Sequence, residues 1–237
     1  RLGSGAWAGM PTAGSGDVLD LLAHPPAPLR LFVRTNTESV LRSSDGGGSV
    51  TPSGFVPSQG FWNHQLAYHA PSTTLYAGTQ YVGVYKSPDD GANFVPANIG
   101  IETRAIRCLA LQPGSSTVLY AGTFNNKIYK TINGGTWSQL AAFPEEGALV
   151  IAINPAGTRV YAGTKTGVYV TADGGGSWNP ASTGLPSPRV VSELLIDPVC
   201  PCLMYAGLGY YDWGSQYGGG VYQSTDGGVN WSPLTAA

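Results

Sequence analysis

Charge is scarce in this chain: 12 Lys and Arg stand against 14 Asp and Glu among 237 residues, with no basic block anywhere. Nucleic acid and anionic membrane surfaces are therefore excluded as partners, because both are held by clustered cations. The longest apolar stretches, such as Gly147–Ile153, fall far short of the roughly 20 residues of a membrane-spanning helix, which excludes membrane insertion. Three cysteines make neither a disulfide framework nor a zinc site. Cys200-Pro-Cys202 is too tight for an unstrained bridge, so the pair is expected as surface-turn cysteines and Cys108 as buried filler. The chain starts at Arg1 without a signal-like segment and is expected to be a processed product, a recombinant piece or an excerpt.

What is abundant is glycine (34), proline (18) and tyrosine (13), with 42% hydrophobic residues, so a packed core is expected rather than disorder. That composition suggests an extracellular or periplasmic protein. A repeat organises it. Tyr-Ala-Gly recurs at Tyr76, Tyr120, Tyr161 and Tyr205, at steps of 44, 41 and 44, and Leu31-Phe-Val-Arg-Thr35 takes the same place one period earlier. Each copy follows an apolar run ending near proline, as in Leu109-Ala-Leu-Gln-Pro113. A third run follows each, as in Val84-Tyr-Lys-Ser87.

A turn of fixed chemistry closes every copy: Ser43-Ser-Asp45-Gly-Gly47, Ser87-Pro-Asp89-Asp-Gly91, Thr131-Ile-Asn133-Gly-Gly135, Thr171-Ala-Asp173-Gly-Gly175 and Ser224-Thr-Asp226-Gly-Gly228. Val50, Phe94, Trp137, Trp178 and Trp231 complete them. A short carboxylate or amide accepts main-chain N–H bonds a few residues on, glycine takes positive φ without steric cost, and the aromatic is expected to pack back across its own hairpin. These residues therefore carry the fold and not catalysis.

The pattern resembles the Asp-box, or bacterial neuraminidase repeat, family, whose motif is S/T-x-D-x-G-x-x-W. The resemblance runs from about residue 17 to 235 and extends to β-propellers of the xyloglucanase-type glycoside hydrolases, sialidases, sortilin and photosystem II assembly factors. It implies an all-β chain of four-stranded antiparallel blades (strands A to D), and five blades are favoured over a piece of a larger propeller. Residues 1–16 are expected to hold a lone outer strand around Trp7, followed by repeats at about 17–60, 61–103, 104–146, 147–189 and 190–237.

Antiparallel order puts A–B turns and acid-glycine turns on one face and B–C and D–A loops on the other. The second face varies, and its candidate binding residues are Trp62, His64, Tyr81, Phe124, Asn126, Tyr210, Tyr211, Asp212, Trp213 and Tyr217. The Gly209–Tyr217 loop is about ten residues longer than its siblings, and a loop grown on one face of a repeat usually serves contact. Aromatics beside amides suit a protein partner or a larger complex; they also suit sugar faces, so a glycan and a lectin-like role stay open.

Catalysis is not expected. Glycosidases need two placed carboxylates, and Glu38, Glu102, Glu145, Glu146 and Asp212 show no paired spacing. Arg34-Thr35-Asn36 stands where the xyloglucanase resemblance implies Arg-Thr-Asp, and asparagine cannot act as base. No metal-ligand spacing or cofactor motif is present, and His24 and His69 read as hydrogen-bonded turn residues.

Overall fold

Short runs of β-branched and aromatic residues, punctuated by Pro, Gly and Asn, favour brief strands joined by tight turns. The computed structural model describes residues 18–24, 30–35, 40–53, 65–141, 143, 147–187, 189–212 and 215–234, and only the backbone of 210–212 and 215–218. Within these, almost no residue is helical; a single 3-10 turn spans Ala70–Ser72. The expected strand around Trp7 lies outside the described residues.

Five antiparallel sheets of four strands each stand in a ring and form a five-bladed β-propeller. The first holds β1 (Val18–His24), β2 (Arg30–Thr35), β3 (Val40–Ser43) and β4 (Thr51–Pro52). The second holds β5 (Leu66–His69), β6 (Thr74–Gly78), β7 (Val84–Ser87) and β8 (Val95–Pro96). The third holds β9 (Ile106–Leu111), β10 (Leu119–Thr123), β11 (Ile128–Thr131) and β12 (Trp137–Gln139). The fourth holds β13 (Val150–Ile153), β14 (Val160–Gly163), β15 (Val168–Thr171) and β16 (Asn179–Pro180). The fifth holds β17 (Val191–Ile196), β18 (Met204–Asp212), β19 (Ser215–Ser224) and β20 (Ser232–Pro233). Strand order follows the chain in every sheet, so no described strand is exchanged between blades.

The core lies between sheets, not within them. Val40 of the first packs with Leu66, Leu75 and Ala77 of the second. Ala67, Tyr76 and Val84 pack with Ile106, Leu109 and Leu119, and the same geometry joins the third to the fourth and the fourth to the fifth. Polar links accompany this packing. The hydroxyl of Tyr76 donates to the Ser116 carbonyl at 2.8 Å, and that of Tyr161 to the Gly227 carbonyl at 2.9 Å.

The acid-glycine turns form as their chemistry requires. Asp173 Oδ1 accepts from the Ser177 N–H at 2.9 Å and from the Thr171 hydroxyl at 2.7 Å, while that hydroxyl accepts from the Gly175 N–H at 3.0 Å. Asp45, Asp89 and Asp226 repeat the pattern. In the shorter third turn Asn133 Oδ1 accepts from the Thr136 N–H at 2.8 Å. These bonds hold Asp89 and Asp226 down to a pKa of about 2, and Asp45 and Asp173 lower still, all below the ordinary 3.8.

Two expectations need correction. The aromatic after the turn reaches the preceding blade rather than its own hairpin: Trp137 Nε1 donates to the Ala97 carbonyl at 2.7 Å, and Trp231 Nε1 to the Ala181 carbonyl at 2.9 Å. The reason is that the D–A connection of the preceding blade crosses over to pair with the next turn, at Ile99 with Thr136 and at Thr183 with Asn230. Second, Cys200 and Cys202 are joined in a disulfide. Asp197 accepts from the Val199 and Cys200 N–H groups, and Leu203 N donates to the Cys200 carbonyl, so the chain folds back on itself and brings both side chains to one side. Cys108 is buried as expected, and burial pushes its thiol up to about 12.

Candidate functional site: the B–C and D–A face

One threonine makes the B–C turn in three blades. Thr79, Thr123 and Thr164 each follow the glycine of the Tyr-Ala-Gly run. Their buried hydroxyls donate to the carbonyl of Gly83, Lys127 and Gly167 and accept an N–H from the intervening loop. The turn is pinned at its base, so the tip residues are free to differ. Tyr81 is 58% exposed at one tip, and Asn126 stands exposed at another with φ 69°.

The fifth blade has Leu208 at the threonine position, and a leucine cannot cap the turn. Its strands run on instead. The ladder passes from Leu208↔Gly220, through an irregularity at Gly209, to Tyr210↔Tyr217, Tyr211↔Gln216 and Asp212↔Ser215. Met204↔Ser224 lies at the other end, next to the Asp226 turn. The hairpin therefore leaves the propeller by the end opposite the acid-glycine turns.

The described loops of the second and third blades form one continuous surface. Gly83 N donates to the Arg104 carbonyl and Phe124 N to the Ala105 carbonyl, so the 104–106 segment links the Tyr81 and Phe124 loops. Phe124 lies under the Arg107 guanidinium at 5.0 Å, and Lys127 pairs with Glu102 at 2.5 Å. Val82, Tyr85, Pro96, Asn98, Ile99 and Arg104 line a depression of about 390 Å³. Asn98 serves structure there: its amide accepts from the Val84 N–H and donates to the Val82 carbonyl. Arg104 and the 70%-exposed Ile99 remain as surface groups. Of the other candidates, Trp62, His64 and Trp213 lie outside the described residues, and Tyr210, Tyr211, Asp212 and Tyr217 are placed by backbone alone.

Sequence reading does not single out a charged cluster on the first and fifth blades. Arg34 stands where the other four blades carry Gly78, Gly122, Gly163 and Gly207, and its side chain is fully buried with no hydrogen-bond partner among the described residues. Burial lowers it to about 10, against the opposing pull of Asp20. Burial raises Asp20 despite the Leu66 N–H, which it accepts at 2.6 Å. Burial and then the Asp20 charge raise Glu193. The legible signal was positional: Asp20 and Glu193 occupy the place held by Gln65 in the second repeat, whose side chain accepts from the Leu109 N–H. That bond between blades gives Asp20 a structural role.

No family model and no curated protein matches the chain. Solved structures match its fold. An ancestral GH74 enzyme superposes with a TM-score of 0.76 at 20% identity, over 98% of this chain and 33% of that one. The extracellular domain of the putative one component system BT4673 from B. thetaiotaomicron gives 0.68 at 16% identity, over 95% and 28%. YCF48 bound to D1 peptide gives 0.60 at 18% identity, over 86% and 63%. The chain thus spans about a third of the GH74 enzyme's length. At these identities the likeness is one of fold, and the fold hosts more than one activity.

Proposed function

We propose that this chain is a non-catalytic recognition or assembly propeller that engages a protein partner through its B–C and D–A face, probed by Trp62, His64, Tyr81, Phe124, Asn126 and the Tyr210–Tyr217 hairpin. The observation that carries this reading is the replacement of the turn-capping threonine by Leu208, with the long hairpin that follows it. The fifth blade has grown a two-stranded extension while the second, third and fourth keep tight turns. Tyrosine-rich extensions suit partner contact, since aromatic side chains anchor interfaces at low entropic cost. The likeness of fold to YCF48 bound to a peptide fits the protein-binding reading.

The enzyme reading has less support. Among the acids of the expected glycosidase set, Glu102 is the one whose side chain is described, and it is held in an ion pair with Lys127. An Asp-box ancestry and an extracellular or periplasmic location form part of the same proposal; the described residues include no helix long and apolar enough to cross a membrane. The test is affinity capture from the source organism with the chain, Trp213→Ala and Tyr81→Ala, alongside a glycan array. A protein retained by the chain and lost from both variants supports the proposal. Glycan binding lost in Trp213→Ala would replace it with the lectin reading, and hydrolysis of xyloglucan or sialosides would replace it with the enzyme reading.

A further inference from the structure

The turn between strands A and B of the fifth blade, residues 197–203, holds the Cys200–Cys202 bridge and stands beside the Asp226 turn, opposite the loop face. The hydrogen bonds that fix it recur in blades that have no cysteine there. Asp197 N donates to the Leu203 carbonyl at 3.0 Å, as Gln112 N does to Val118 at 2.9 Å and Asn154 N to Arg159 at 3.0 Å. Asp197 Oδ1 accepts from the Val199 and Cys200 N–H groups at 2.8 Å, as Asn154 Oδ1 accepts from those of Thr158 and Arg159. Gly227 N donates to the Cys202 carbonyl at 2.8 Å, and Asp90 N to the Thr73 carbonyl at the same place in the second blade. In the third blade a turn of equal length is completed by the Ser115 hydroxyl, which accepts from the Thr117 and Val118 N–H groups. The fold therefore closes this turn without help from sulfur.

The bridge also joins residues only two positions apart, so it constrains the unfolded chain very little. Neither cysteine is hidden: Cys200 and Cys202 are exposed, and Val199 beside them is 92% exposed. An exposed disulfide that the fold does not need is open to thiol exchange. Cys108, the remaining cysteine, is fully buried in the packing between the third and fourth sheets and cannot reach the bridge. An attacking thiol must therefore come from outside the chain.

We infer that Cys200–Cys202 is an exchangeable disulfide that oxidises external dithiols. A donor thiolate attacks one of the two sulfurs, the S–S bond breaks, and the other cysteine leaves as a thiolate that takes up a proton. The donor's second thiol then attacks the donor's own sulfur in the mixed disulfide. That step forms the donor's S–S bond and releases the second cysteine as a thiol. Two electrons and two protons pass from the donor to Cys200 and Cys202. Re-oxidation is favoured by the same spacing, because the free cysteine stays two residues from any mixed disulfide and its attack is intramolecular. The turn keeps its shape in both states, since its hydrogen bonds are made by the main chain and Asp197.

The test mixes the oxidised 237-residue chain with reduced dithiothreitol or with a reduced peptide carrying two cysteines, and counts free thiols by maleimide labelling and intact mass. The chain should oxidise these dithiols at least about tenfold faster than equimolar oxidised glutathione does. A higher rate with the peptide assigns the natural donor to a polypeptide, and a higher rate with dithiothreitol to a small dithiol. The reduced chain should be labelled at Cys200 and Cys202 but not at Cys108 while folded, and its thermal transition should stay cooperative and fall by less than about 5 °C. Given oxidised glutathione, the reduced chain should re-form its bridge and keep no glutathione, whereas Cys200→Ser and Cys202→Ser should each retain it as a mixed disulfide. Oxidation no faster than by glutathione, a reduced chain that loses its cooperative transition, or glutathione retained by the unaltered chain would each overturn the inference. None of these outcomes bears on the loop face at the other end of the propeller, so the partner-binding reading stands or falls separately.

Discussion

Replacing Trp137 and Trp178 by phenylalanine separates the clamp between blades from mere aromatic filling. Both indoles are buried, at 3% and 8% exposure, and both changes remove the same ring area. Trp137 Nε1 donates to the buried Ala97 carbonyl at 2.7 Å. Trp178 Nε1 is buried with no partner among the described residues, and Phe143 stands edge-on to its ring at 5.0 Å instead. Trp137→Phe therefore leaves a carbonyl unpaired, at a cost of about 1–3 kcal/mol beyond the lost packing. Trp178→Phe removes an unsatisfied donor, which offsets part of that loss. Thermal denaturation followed by far-UV circular dichroism should place Trp137→Phe below Trp178→Phe by about 2–4 °C for each kcal/mol of difference. Equal destabilisation, or a larger loss in Trp178→Phe, would refute the view that indole hydrogen bonds join the blades.

Three further outcomes follow from the same structure. Asp90 takes φ 61° where the other turns have glycine, yet its carboxylate pairs with Arg30 and accepts from the Tyr68 hydroxyl at 2.7 Å. Asp90→Ala should lose about 1–3 kcal/mol by urea denaturation, and Asp90→Gly should recover about 1 kcal/mol of it by relieving the left-handed strain; if glycine is the worse of the two, the strain argument fails. Stability should depend on pH in two opposed ways. The turn acids Asp45, Asp89, Asp173 and Asp226 titrate below their ordinary 3.8, so their contribution is complete above about 4 and is lost as pH falls toward about 2. Asp20 and Glu193 titrate above their ordinary values, so the cost of their ionised forms disappears as pH falls through those raised values. Urea midpoints should therefore rise on mild acidification and then fall, and Asp20→Asn should flatten the rise; a monotonic fall from neutral pH would contradict this. Thiol titration without reductant should count no reactive cysteine in the native chain and one after unfolding, since Cys108 is buried and Cys200 is bonded to Cys202; three thiols on unfolding would rule out the bridge.

Much of the fold was legible because its devices are local. A hydroxyl residue, an acid or amide and one or two glycines within five positions suffice to close a hairpin, so five copies in phase announce five sheets. The aromatic was misjudged for a non-local reason: whether Trp137 faces its own hairpin or the previous blade depends on where residues 97–99 cross, which no short pattern records. The Cys200–Cys202 bridge was missed because it depends on a turn held by Asp197 rather than on spacing. On the variable face, Tyr81, Phe124 and Asn126 could be placed by counting from Tyr-Ala-Gly. That Leu208 ends the series Thr79, Thr123 and Thr164 was readable in principle, and it explains the long hairpin better than its length alone. Arg34, Asp20 and Glu193 draw their character from burial, which composition and periodicity do not reveal.

The most direct test shortens the hairpin. Residues 208–220 are replaced by the Thr164–Gly167 turn of the fourth blade, and the product is compared with the unaltered chain and with Asp45→Asn, altered on the opposite face. Partner capture should be lost in the shortened chain, which keeps its thermal transition, and retained in Asp45→Asn. Undiminished capture by the shortened chain would contradict the assignment of recognition to this face.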